Sequence, residues 1–109
     1  MQRHSVIDVV AHDPKSGRAL LAMTETRSWS EGADMLLFDI HEKLNTYIGY
    51  VVEGQLVRDY PRLVGKEVEF RLICSERPPD DVIATLRAWK EEVLAPRAIA
   101  WSVTVLPVQ

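Results

Sequence analysis

Residues Glu31 to Gly54, EGADMLLFDIHEKLNTYIGYVVEG, constrain the fold more than any other stretch of the chain. Ala33, Leu37, Ile40, Leu44, Tyr47, Ile48 and Val51 recur every three or four positions, the repeat of one face of an α-helix. Asp39, Glu42, Lys43, Asn45, Thr46 and Glu53 fall on the opposite face, which suits water. Gly54 supplies the left-handed conformation that commonly ends a helix. A helix with one apolar stripe must bury it, so the strands are expected to pack beneath that stripe.

The 109 residues provide material for one domain, spanning 1–109, because a second core would have too little chain to enclose it. A chain of this size buries roughly two-thirds of its unfolded surface, so no metal or disulfide staple is required. No apolar run approaches the ~20 residues of a membrane helix. The start, MQRHSVIDVV, has no signal-peptide core followed by a small-residue cleavage site. The expectation is therefore a soluble, cytoplasmic protein without a membrane partner. Cys74 is the single cysteine, which excludes an internal disulfide and a cysteine-based metal cage. A net charge of −3 and a pI near 5.6 argue against general affinity for nucleic acid. The best basic cluster, Arg58, Arg62 and Lys66, is sparse and interleaved with Asp59 and Glu67.

Along the chain, His4 to Ala11 is rich in Val and Ile and reads as a first strand, with Ile7, Val9 and Ala11 on one side and Val6, Asp8 and Val10 on the other. His12 to Gly17 concentrates turn formers. Ala19 to Glu25 returns as a second strand, making a hairpin. Ser28 and Glu31 fit a capping box for the long helix, with Ser30 as a competing N-cap. Gln55 to Gly65 reads as a loop with a short turn. Lys66 to Ser75 alternates cleanly, with Val68, Phe70, Leu72 and Cys74 on one side and Glu67, Glu69, Arg71 and Ile73 on the other. After Pro78-Pro79, Asp80 and Asp81 place negative charge at the start of a second helix, whose stripe is Val82, Leu86, Trp89 and Val93 and which Pro96 ends. Ile99 to Val105 is a last strand, with Ile99, Trp101, Val103 and Val105 inward. The order β-β-α-β-α-β predicts an α+β fold, a four-stranded mixed sheet packed with two helices. Its last β-α-β unit should cross over right-handed, between parallel strands.

The run Glu42-Lys43-Leu44-Asn45-Thr46-Tyr47, followed by Val51-Val52-Glu53-Gly54-Gln55-Leu56, resembles a family of short bacterial single-domain proteins of unknown function. Ile7-Asp8, Leu21-Ala22-Met23, Trp29, and Leu72-Ile73-Cys74 followed by Pro78 are similar too. The resemblance covers nearly the whole chain. It implies a single domain and no particular activity, ligand or partner.

Three groupings could carry chemistry. His41-Glu42-Lys43-Leu44-Asn45 is one residue short of the zinc-protease signature HExxH, which needs two imidazoles one helical turn apart. Asn45 stands where the second must be, so His41 is read as a helix-flank residue and no metal site is expected. Asp8 on the first strand and Glu25-Thr26-Arg27 at the end of the second are similar to nucleases that hold a divalent metal on two carboxylates with a lysine nearby. Here Arg27 replaces the lysine, and a guanidinium does not deprotonate to act as a base. Cys74 lies on an apolar face and is read as a core residue. No glycine-rich phosphate loop is present, and no cofactor is implied.

Two functions remain. The leading expectation is a non-enzymatic interaction domain, a homodimer or the binder of a protein partner, using Val6, Val10, Leu20 and Trp29. The alternative is a minimal metal-dependent hydrolase, nuclease-like, using Asp8, Glu25 and Arg27. The homodimer rests on the hairpin, which carries apolar residues on both faces. If both helices cover one side of the sheet, the other side stays open; if the second crossover runs back, one helix covers each side.

Overall fold

A computed structural model describes residues 8–106. Four strands form one sheet in chain order: β1 (Val9–His12), β2 (Ala19–Glu25), β3 (Val68–Cys74) and β4 (Ile99–Val105). β1 and β2 are antiparallel, joined by a turn in which Asp13 accepts backbone hydrogen bonds from Lys15 and Gly17. Lys15 reaches the Asp13 carboxylate at 3.0 Å. Gly17 takes φ +76°, which the turn needs and which L side chains rarely adopt. β2, β3 and β4 are mutually parallel, as the crossover rule requires for strands connected through helices.

Both crossovers step the same way across the sheet, so right-handed connections place their helices on the same face. One continuous core results. Leu36, Ile40, Leu44 and Tyr47 of α1 (Ala33–Val52) and Val82 and Leu86 of α3 (Asp80–Trp89) meet Leu21, Met23, Phe70, Leu72 and Cys74 of the sheet. The two helices also touch each other, with the His41 and Trp89 rings 5.1 Å apart. His41 is thus a flank residue packed on an indole. Among the described residues the opposite face of the sheet carries no helix and presents Val9, Ala11, Leu20, Arg71, Ile73 and Ser102.

Several boundaries differ from expectation. The first strand includes His12, and the predicted part before Asp8 lies outside the described residues. The stripe of α1 is centred on Leu36, Ile40, Leu44 and Tyr47, one position round from the Ala33–Leu37 side. Ser28 caps a separate 3-10 turn, Trp29–Glu31, and Gly32 at φ +137° leads into α1. The segment after Gly54 is a short third helix, α2 (Gln55–Asp59), then a 3-10 turn at Pro61–Leu63. Leu56 and Leu63 anchor these to the core. Gly54 is left-handed, φ +84°, as read from the sequence. Beyond Trp89, α3 widens into a π-helical turn, Lys90–Leu94, and then a 3-10 turn, Ala95–Arg97. Pro96 cannot donate to the helix and crowds the carbonyl four residues back, which accounts for the break.

Candidate functional site

Asp8, Glu25 and Arg27, the hydrolase candidates, do converge near the start of β1 and the end of β2, but as a clasp of paired charges beside a pocket of about 220 Å3 lined by Glu25, Arg27, Asp39 and Lys43. Glu25 is 5% exposed, and Arg27 forks onto both of its carboxylate oxygens at 2.9 and 2.8 Å. These bonds hold the Glu25 carboxyl below its ordinary range although burial opposes them. Arg27 also reaches Asp39 of α1 at 3.0 Å. Asp8 accepts Lys43 of α1 at 2.8 Å and the backbone N–H of Thr24 at 3.4 Å. Its own N–H donates to the Tyr47 hydroxyl, which in turn donates to the Ala22 carbonyl at 2.8 Å. Burial pushes the Tyr47 phenol up to about 12.

Lys43 is the residue sequence reading missed here, because it comes from the helix and only the fold brings it to Asp8. Each carboxylate already holds a cation. A divalent metal would have to displace a guanidinium from one and an ammonium from the other. Among the described residues no three His, Cys, Asp or Glu side chains converge as metal ligands. What the arrangement does is fasten the hairpin to α1. Cys74 lies nearby, fully buried, and burial raises its thiol to about 11, which suppresses the nucleophilic thiolate.

The residues expected to form an interaction surface do not share one. The register pairs Val10 with Leu21 and Leu20 with Ala11, so Val10 faces the helices and packs on the core while Leu20 faces the open side. Trp29 is 4% exposed rather than at the surface. Its indole N–H donates to the Glu76 carbonyl at 3.0 Å, and this satisfied donor lets the ring be buried. Val6 lies outside the described residues. The open face is also more polar at its centre than expected. Glu69, 4% exposed, accepts Ser102 at 2.6 Å and Arg71 at 2.9 Å, with Arg18 at 3.5 Å. Burial pushes its carboxyl up, but the bonds from Ser102, Arg71 and Arg18 together outweigh that and hold it low.

A groove that sequence reading did not anticipate lies between α3 and β4. It measures about 350 Å3 and is lined by Ile83, Leu86, Trp101, Val103 and Val105, with Arg77, Arg87, Lys90 and Glu91 among its polar residues. Val103, Val105 and Leu106 are 39%, 42% and 46% exposed. The faces of β4 were read correctly, but Trp101, Val103 and Val105 are not closed in as expected. Among the described residues β4 is the last strand of the sheet, and only one side of it is paired. The Leu106 N–H donates inward to the Cys74 carbonyl at 2.9 Å. Since backbone groups alternate along a strand, Trp101, Val103 and Val105 turn their N–H and C=O outward, away from β3. The same residues therefore offer side chains to the groove and backbone to the free edge.

The sequence profile of a family of unknown function, DUF6572, matches residues 1–105. The chain belongs to that family. No curated protein and no solved structure matches this DUF6572 chain. A signal for the β4 edge does exist in the DUF6572 sequence: residues Ile99 to Leu106 contain no charge and no proline. That absence becomes informative only once the strand is known to be an edge, and strand order is not legible in the chain. Among the described residues, no helix of this DUF6572 protein is long and apolar enough to cross a membrane.

Proposed function

We propose that this protein is a non-enzymatic interaction domain that receives a partner by strand addition at the outer edge of β4. One observation carries the reading: β4 is an edge strand without the usual protections. Such strands normally carry a charge, a proline or a bulge, because a bare row of backbone donors and acceptors templates pairing with another chain. β4 has none of these through its seven register pairs with β3, and a groove for side chains runs alongside it. The clasp at Glu25 and Asp8, by contrast, has its charges already satisfied. A single cysteine, free of any disulfide, fits a cytoplasmic protein.

The test is Val103→Pro. Its N–H points away from β3, so proline removes an outward donor and leaves the β3 ladder intact. Affinity captures with wild-type and V103P baits should differ by a partner that only the wild type retains, and Val105→Pro, which removes a second outward donor, should lose the same partner. Identical captures from all three baits would overturn the reading.

Self-association through the open sheet face is a second reading, favoured by Val9 at 46% exposure on the same face as Leu20 and Ile73. Light scattering during gel filtration at tens of micromolar tests it. A dimer mass that Leu20→Glu reduces to a monomer supports it, and a monomer in the wild type removes it.

A further inference from the structure

We propose that the segment received at β4 is acidic, an extended stretch in which Asp or Glu alternates with apolar residues. This rests on the strand-addition reading above and specifies the chemistry of the occupant. Arg77 follows β3, Arg87 lies on α3, and Lys90 begins the π-helical turn, yet all three converge on the groove. Among the described residues none of them makes an ion pair. Arg18, Arg27, Lys43 and Arg71 each do. Among the described residues Lys15, Arg58, Arg62, Lys66 and Arg97 form none either, so what marks Arg77, Arg87 and Lys90 is that they gather round one apolar groove in a chain whose net charge is −3. Glu91 is the one acid that lines it.

The geometry matches a peptide. A strand added outside β4 would exchange hydrogen bonds with the outward N–H and C=O of Trp101, Val103 and Val105, which alternate donor and acceptor as a peptide backbone does. A phosphate chain offers acceptors only and would face the three carbonyls unfavourably. Alternate side chains of the added strand, roughly 7 Å apart, would project over the groove. There an apolar residue meets Trp101 and Val103, and a carboxylate meets Arg87 or Lys90. A second copy of this chain is a poor occupant, since pairing β4 with β4 brings two basic rims together.

The experiment pans a phage-displayed library of random linear peptides against the wild-type protein, then measures the recovered peptides on V103P and on the double variant R87E/K90E, each checked for an unchanged thermal melt. The expected result is a pool enriched in Asp and Glu alternating with apolar residues. Its members should bind at least about tenfold more weakly to R87E/K90E, and more weakly as salt rises. Peptides that are neutral or basic, or that bind R87E/K90E as tightly as wild type, yet are lost on V103P, overturn the acidic occupant and leave strand addition standing. Recovery of no peptide that distinguishes wild type from V103P overturns both. Retention of a random single-stranded DNA pool by the wild type, abolished in R87E/K90E, would also overturn a peptide occupant.

Discussion

β3 and β4 are neighbours of equal length, and their residues pair in register on the same face: Phe70 with Trp101, Leu72 with Val103, Cys74 with Val105. The β3 members are fully buried. Their β4 partners are not: Trp101 is half-buried, and Val103 and Val105 are 39% and 42% exposed. Alternation is identical in the two strands, so alternation cannot be what sets burial. β3 has a strand on each side and the helical layer above it, whereas β4 has one neighbouring strand and a helix that leaves a groove. A period-2 pattern states which residues share a face, and the position of the strand in the sheet decides whether that face is closed.

The comparison can be broken by truncation. Leu72→Ala should lose roughly 2–5 kcal/mol in a denaturant melt, because a fully buried site leaves a cavity. Leu44→Ala, equally buried on the helix above, belongs in the same range. A loss below about 0.5 kcal/mol at either position would be a surface effect and would mean that the core is not closed over β3. Tyr47→Phe should cost less, about 1–3 kcal/mol, by leaving the part-buried Asp8 N–H without its acceptor and taking one donor from the Ala22 carbonyl.

Acid sharpens the contrast between the paired centre of the sheet and its edge. Glu25 and Glu69 are both held below the ordinary glutamate value of 4.5. Folding therefore favours their ionised forms. That stabilisation is complete above the unfolded-state pKa and is lost as pH falls through the lower folded value. Thermal melts should thus fall as pH drops below 4.5, and Glu25→Gln with Glu69→Gln should flatten that descent. A slope unchanged in the double variant would assign the acid sensitivity elsewhere. The smallest effect belongs to β4: Val103→Ala should change stability by no more than about 0.5 kcal/mol. A loss matching that of Leu72→Ala would mean that the groove is filled in solution.

Much of the architecture was legible in the chain. Ala19 to Glu25 and Ile99 to Val105 are the observed limits of β2 and β4, and the long helix was found within two residues at each end. α2 was not, since five residues ending beside Tyr60-Pro61 hold too little period to be told from a loop, and only Leu56 among them is buried. Leu36 falls outside the stripe that the sequence implies because Ala33 and Leu37 make an equally good helical repeat, and only packing against the sheet selects between the two. Trp29 could not be placed without the Glu76 carbonyl that accepts its N–H, a partner 47 residues away. The candidate groove was invisible for the same reason on a larger scale. Its cations come from a loop, a helix and a turn, and its floor from a strand, and only the handedness of the crossovers brings them together.

The strand order 1-2-3-4 has a kinetic consequence. No strand is threaded between two others, so each can be laid against an edge already in place, starting from the short hairpin turn. Such accretion keeps every pairing between neighbours in the chain, which limits the loop-closure entropy of each step and favours faster folding than an interleaved sheet of the same size. At each stage the growing sheet exposes one fresh edge that captures the next strand. β4 is where that succession stops among the described residues. On the proposed reading, partner binding repeats the folding reaction once more, with the incoming strand supplied by another molecule.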